Sequence, residues 1–442
     1  MRAGHTAAVT STALLTDHYE LTMLQAALHS GAAHRRSVFE MFARRLPDGR
    51  RYGVLAGTGR ALEALANFRF GDDELAWLRA ARVTDEQTLG WLADYRFSGD
   101  VWGYPEGEAY FPGSPVLVVE STFAEAVLLE TLLLSIHNHD SAVASAASRM
   151  VNVAGGRPCI EMGGRRTQEE SAVAAARAAY VAGFAATSNL AAGARHGIPT
   201  TGTSAHAFTL VHDTERDAFT AQVDSLGRGT TLLVDTYDIE DAVRLAIEVA
   251  GTELGAVRID SGDLPALAAA VRRELDGLGA TGTRVVVTSD LDEYAIAGLA
   301  AAPVDGYGVG TAVVTGSGHP TCGFVYKLVA REDGSGRCVP VAKLTKDKLS
   351  VGGRKWAVRR GSARGRAEAE VVGTGAPPPD VGADRTLLVP LVHRGERVHC
   401  HSLDDARNVH SRAVNELPPS ARQLSRGEPV LATVYENCEE HR

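Results

Sequence analysis

The chain is poor in cysteine. Five occur among 442 residues, at positions 159, 322, 338, 400 and 438, and no two form a Cys-x-x-Cys pair. That spacing excludes a zinc knuckle and a disulfide framework, and it fits reduced thiols in a cytoplasmic protein. An excess of positive charge is also missing. The formal net charge is -9, which argues against general binding to nucleic acid or membrane surfaces. No apolar run approaches the roughly 18 residues that a membrane-spanning helix needs. Residues 1–13 lack a continuous apolar stretch and read as a loose tail, not a secretory leader. No Gly-x-Gly-x-x-Gly opens a helix and no Gly-x-x-x-x-Gly-Lys-Ser/Thr occurs, so the dinucleotide-fold and P-loop readings fail.

What remains is an ordinary globular balance. Hydrophobic residues make up 45% and charged residues 22%, enough to build a large core. The length predicts about two or three domains. Residues 14–30 read as an amphipathic helix, capped by Thr16 or Asp17 and stopped by Gly31, with Tyr19 in its first turn. Val38, Phe39, Met41 and Phe42 predict a strand, and Tyr52–Leu55 a strand returning after the turn Pro47-Asp48-Gly49. Arg44, Arg45, Arg50 and Arg51 are either a solvated edge or phosphate contacts. Residues 59–97 read as helices with Trp77 and Trp91 in the core. Residues 99–121 alternate like short antiparallel strands. A long helical stretch covers 123–150. In it His137 and His139, two residues apart, do not share a face as metal ligands would.

From about residue 155 the pattern changes. Short apolar segments alternate with helices, and each segment ends in polar or glycine residues. These segments are 158–161, 184–186, 198–201, 232–234, 256–259, 285–287 and 304–307. Such a succession predicts a β/α barrel. Thr167 and Glu170 stand at capping-box spacing, and Asp238 and Asp263 precede helices. Residues 322–346 read as a hairpin turning at Gly334-Ser335-Gly336. The Lys- and Arg-rich stretch 346–366 reads as a solvated surface. The C-terminal strands and polar helix lack a large core of their own and are expected to pack back on the N-terminal domain. The predicted borders are 1–122, 123–335 and 336–442.

In β/α barrels the chemistry sits at the carboxyl ends of the strands. Those ends carry Arg165, Arg166, Ser188, His206, Asp235, Arg258, Asp260, Asp263, Ser289, Asp290 and the loop Gly308–Thr311. His206, in Gly202-Thr203-Ser204-Ala205-His206, can exchange a proton near neutral pH or act as a nucleophile. The arginines supply planar donors for carboxylate or phosphate. Asp260 can hold sugar hydroxyls or Mg²⁺, whereas Asp263 reads as a helix cap. Gly308, Gly310 and Thr311 form either a tight turn or a phosphate cradle. Together they describe a site for a phosphorylated sugar and an acceptor that is also anionic.

The ordered motifs TDHYELTM at 16–23, EMGGRRTQE at 161–169, GTSAH at 202–206, VRIDSGDL at 257–264, TSDLDEY at 288–294, GYGVGTAVVT at 306–315, and VYKLV, KLT and KLS at 325–350 span most of the chain. This set resembles the nicotinate phosphoribosyltransferases, with the actinobacterial type nearest in wording. The resemblance implies an irregular β/α barrel of the type II phosphoribosyltransferase kind plus an α+β domain formed by N- and C-terminal segments, working as a homodimer. It implies transfer of phosphoribose from 5-phosphoribosyl 1-diphosphate to nicotinate, with Mg²⁺, giving nicotinate mononucleotide and diphosphate. It also implies coupling to ATP hydrolysis through a phosphohistidine at His206.

By the same resemblance Tyr19 would stack on the pyridine, in the partner's site, and Thr203 would lie against the ring. Arg165 and Arg258 would meet the nicotinate carboxylate and the phosphates. Asp260 would order the ribose or Mg²⁺, and Gly308, Gly310 and Thr311 would hold the 5-phosphate. Ser188 stands where nicotinamide-using relatives carry an aspartate, which favours the acid as substrate. Met162 stands where an aromatic residue is common in the wider group. The alternatives are a nicotinamide or quinolinate phosphoribosyltransferase of the same fold, or a catalytically silent sensor of phosphoribosyl ligands.

Overall fold

In the computed structural model, residues 11–343, 351–378, 382 and 384–437 are described. They fall into two units. One comprises the described residues within Met1–Ser141, Thr321–Ala421 and Ser425–Arg442, and the other comprises Ala142–Pro320 and Arg422–Leu424. The sequence places the borders at 122/123 and 335/336. The packing places them at 141/142 and 320/321, because the strand Phe324–Glu332 joins the first unit's sheet and the helix Glu130–Val153 contains the first border.

The first unit is built on a seven-stranded sheet. At its centre Arg36–Ala43 pairs antiparallel with both Phe324–Glu332 and Leu117–Thr122. Seven of the eight residues of Arg36–Ala43 are buried, as a central strand covered on both faces requires. The predicted returning strand is only Gly53–Val54, and it pairs with Ala109–Tyr110 instead. Val389–His393 extends the sheet beside Asp100–Gly103, so the chain's two ends do meet in this unit. The helix His18–Ser30 starts at Asp17, whose carboxylate accepts the Tyr19 N–H, and it stops at Gly31 with φ 77°. Trp77, expected in the core, is 56% exposed, because Leu78 takes the inward face of its helix. Trp91 is half-buried against Tyr95.

The basic stretch corrects a second expectation. Residues 346–350 lie outside the described residues, but 355–361 form a strand in a four-stranded sheet. Lys355 and Arg359 are buried there, because matching carboxylates wait inside. Lys355 Nζ donates to Glu40 at 2.6 Å, and Arg359 donates to Glu370 at 2.6 Å and to Glu416 at 3.1 Å. Trp356, Val358 and Val371 make a small core cluster on this sheet.

The second unit holds a six-stranded, wholly parallel sheet. Its order is Ala186–Thr187, Cys159–Glu161, Gly306–Val309, Arg284–Val287, Ala256–Ile259, Thr231–Leu233. Helices follow these strands, and the sheet curls into a half-barrel. The seventh predicted segment, 198–201, contributes only an isolated parallel bridge between Thr200 and Thr187. The strands are apolar because helices cover parallel sheets, as in Val285-Val286-Val287. The helix Glu169–Val181 buries six alanines, whose small side chains allow close packing. Asn189, Asp238, Asp263 and Asp292 each cap a helix with the side chain. The cap of Glu169–Val181 is Gln168, not Thr167, and it accepts the Ser171 N–H. No helix among the described residues is long and apolar enough to cross a membrane.

Candidate active site

Each strand of the parallel sheet delivers its next residues to one edge. From three neighbouring strand ends and the loop after Glu161 comes a cleft of about 270 Å³. Arg165, Arg258, Asp260 and Ser289 line it, and so do Gly308, Gly310 and Thr311. Met162, Arg166, Thr288 and Asp290 complete the wall. Nine of the residues read from the strand ends, Arg166 and Asp290 among them, are therefore brought together at this edge of the sheet.

The floor is tightly organised. Gly308 leaves little room for a side chain: a Cβ there would lie 2.5 Å from Thr288 Cγ2 and 2.7 Å from Met162 Sδ. Gly163 is equally enclosed: a Cβ there would lie 2.3 Å from Val314 Cγ1 and 2.8 Å from the Gly310 carbonyl oxygen. Beneath the loop lies Glu161, which is buried. One of its oxygens accepts the Gly163 N–H and the other accepts the Thr187 hydroxyl. Burial raises the Glu161 carboxyl above its ordinary range, against the pull of those hydrogen bonds. Ser289 has φ 110°, a conformation L residues rarely adopt, so the strand-end turn is strained beside the cleft.

Thr203 and His206 join the cleft through its charged wall. Arg258 Nη1 donates to the Thr203 hydroxyl. His206 Nδ1 meets the Thr236 hydroxyl at 3.1 Å. Its Nε2 lies 3.8 Å from Asp235 Oδ1 and 4.0 Å from Asp260 Oδ2. Asp235 is buried, and its Oδ2 accepts the Asp260 N–H and the Ser261 hydroxyl, both at 2.8 Å. Among the described residues its buried Oδ1 has no hydrogen-bond partner, and neither has Arg258 Nε. Thr288 donates to the other oxygen of Asp260. Burial lowers the Arg258 guanidinium from its ordinary range, and Asp260 and Asp235 offset this only in part.

Two predicted residues stand apart. Ser188 is exposed outside the cleft lining, and its N–H donates to the Glu161 carbonyl at 2.8 Å. Tyr19 belongs to the first unit, 43% exposed, and burial together with the Glu130 carboxylate raises its phenol above the ordinary range. Asp263 caps its helix, as its position before Leu264 predicts.

Sequence reasoning gave Asp235 no role and passed over Thr236 and Glu161. Their signal was position alone, since all three end or directly follow short apolar strand segments. Which atoms they touch depends on strand order.

Among known proteins, a family model described as the nicotinate phosphoribosyltransferase (NAPRTase) N-terminal domain matches residues 14–138. A nicotinate phosphoribosyltransferase of Mycobacterium tuberculosis is 57% identical, over 95% of this chain and 94% of its own. One of Bacillus subtilis is 38% identical over 79% of this chain and 73% of its own. The crystal structure of human nicotinic acid phosphoribosyltransferase superposes with a TM-score of 0.82 at 26% identity, over 96% and 97% of the two chains.

Proposed function

The chain belongs to the nicotinate phosphoribosyltransferase family, and from that premise we propose how its cleft carries out the family's reaction. The chain is a nicotinate phosphoribosyltransferase, an enzyme of NAD biosynthesis. It makes nicotinate mononucleotide and diphosphate from nicotinate and 5-phosphoribosyl 1-diphosphate. The bond between the anomeric carbon and diphosphate breaks, positive charge builds at that carbon, and the pyridine nitrogen attacks it.

The observation that carries the detailed reading is the unbalanced charge at the strand ends. Arg258 is partly buried, has no carboxylate within ion-pair distance among the described residues, and shares the cleft with Arg165 and Arg166. Such guanidinium groups suit a carboxylate on the base and phosphates on the sugar. Thr203, bonded to Arg258, faces the base, and Gly308, Gly310 and Thr311 hold the 5-phosphate. Ser289 completes the substrate contacts of the cleft, and Ser188, exposed outside its lining, brings no negative charge toward the acid.

Among the described residues no three His, Cys, Asp or Glu groups converge as a metal cage. Mg²⁺ needs fewer, one or two carboxylates besides substrate phosphates. Asp260, with an oxygen facing His206, and the orphaned Asp235 Oδ1 fit that requirement. Bound there, Mg²⁺ would neutralise the departing diphosphate.

ATP coupling runs through His206. A phosphoryl group passes from ATP to a ring nitrogen, releasing ADP, and hydrolysis of the N–P bond restores the imidazole. Thr236 fixes the ring, and a dianionic phosphoryl group beside Asp235 and Asp260 would reorder the cleft's charges. The protein acts in the cytoplasm as a homodimer, with the exposed Tyr19 stacking on the base in the partner's site.

The test is mass spectrometry of the mononucleotide formed from nicotinate or nicotinamide, with and without ATP. The expected result is nicotinate mononucleotide with matched ADP release. Product indifferent to ATP would remove the phosphohistidine, and a preference for nicotinamide would overturn the assigned base. In His206→Ala, ligand binding persists and ATP-stimulated turnover is lost; an unchanged ATP effect would refute the role of His206.

A further inference from the structure

The first unit has a cleft of about 480 Å³ that the reaction does not use. It lies between the helix Thr58–Ala66 and the hairpin made by Val389–His393 and Glu396–Arg397. Its apolar wall comes from Leu62, Leu65, Phe68, Phe97 and Val392. Its rim carries Arg69, Arg96, Arg394 and Arg397 against one acid, Glu396. Among the described residues none of these guanidiniums is ion-paired. The Arg96 side chain donates to the Tyr95 carbonyl at 2.5 Å, and Arg397 Nε donates to the His399 carbonyl at 2.8 Å. Elsewhere in the same unit arginines find carboxylates readily, as Arg79 does with Glu86 and Arg385 with Glu108.

The hairpin turn shows the same bias. Arg394 has φ 50° and Gly395 φ 79°, the pattern of a two-residue turn with both central residues left-handed. Such turns favour Asn-Gly or Asp-Gly, and arginine is costly there. The turn is held in place, since the Arg394 N–H donates to Asp100 at 2.7 Å and the Gly395 N–H to the Gly99 carbonyl at 2.8 Å. The strained position thus presents a guanidinium where a smaller residue would be easier.

We propose that this cleft is a second ligand site, distinct from the catalytic one, for a nucleoside di- or triphosphate. Arginine, unlike lysine, both forks onto phosphate and stacks on a base, and all four cations here are arginine. The base and ribose lie on the apolar wall, and the rim arginines take the phosphates. Four arginines less one glutamate leave three positive charges, matched to a polyphosphate chain. The site does not depend on the assignments made at the catalytic cleft.

The test is calorimetric titration of the full-length protein with ADP, and separately with inorganic tripolyphosphate. One variant is Arg69→Gln/Arg394→Gly, in which glycine suits the turn and the fold is kept. The other is Arg258→Ala, which disables the catalytic cleft alone. The expected result is an ADP-binding event that survives in Arg258→Ala and weakens by roughly tenfold or more in Arg69→Gln/Arg394→Gly. Turnover of that double variant without added ADP stays at the wild-type level. Unchanged ADP binding in the double variant, or loss of all ADP binding in Arg258→Ala, would overturn the site. Tripolyphosphate binding as tightly as ADP would overturn the nucleotide assignment.

Discussion

Arg359 in the first unit is buried and Arg258 in the second is partly buried, with opposite results. Around Arg359 stand Glu370 at 2.6 Å, Glu416 at 3.1 Å and Glu108 at 3.7 Å. Burial works against its charge, but these carboxylates outweigh burial and hold the guanidinium above its ordinary range. Around Arg258 burial wins and its range falls, because Asp260 and Asp235 act from beyond ion-pair distance. A buried charge with its partners in place has no chemistry left to do. A buried charge without them is completed by a ligand of opposite sign. The contrast separates the arginines that hold the fold from those that bind.

The strongest way to break this contrast is Arg359→Ala. It leaves the buried Glu370 without its guanidinium partner, and a loss of about 3–5 kcal/mol in unfolding free energy is expected by chemical denaturation. A loss below about 1 kcal/mol would show that the pairing does not matter.

Arg258→Ala should behave in the opposite way. We expect kcat/KM to fall by about 10²–10³, with unfolding free energy changed by less than about 1 kcal/mol. A variant that melts early while keeping turnover would reverse the assignment.

A third test puts a new charge into the first unit. Burial lowers the His410 imidazole from 6.5 to about 4, with Arg407 adding to the effect. The unfolded chain therefore binds the proton more readily. The stability that neutral His410 confers is complete above about pH 6.5 and is lost as the pH falls toward 4. At pH 5 the loss should be about 2 kcal/mol, seen as a steeper fall of Tm between pH 7 and 5 than in His410→Gln. Parallel curves would contradict it.

The smallest expected effect is Gly308→Ala. The added methyl meets Thr288 and the flexible Met162, so the fold should lose only about 1 kcal/mol. The KM for 5-phosphoribosyl 1-diphosphate should rise more than kcat falls, and an unchanged KM would take the phosphate away from this loop.

Much of the second unit was legible because its signals are local. Short apolar runs ending in Asp, Ser or Gly give strands, and Asp238 and Asp263 before helices give caps. Of the residues read from strand ends, Arg165, Arg258, Asp260, Ser289, Gly308, Gly310 and Thr311 line the cleft, whereas Ser188 does not. The first unit was less legible. Lys355 and Arg359 look like surface, and only partners 315 residues away at Glu40, or 57 away at Glu416, make them core. Trp77 looks like core, yet its position on the helix turns it outward.

By itself the sequence determined the alternation of strands and helices, the caps, the glycines that the cleft requires and the motifs of the family. Each of these rests on residue type and spacing over a few positions, where propensity and periodicity act. Only the tertiary structure decided which strand ends are neighbours, so that Arg258 meets Thr203 and His206 lies between Asp235 and Asp260. It alone decided which charges are buried with partners and which without. Those outcomes depend on contacts between residues far apart in the chain, and on the desolvation that those contacts impose.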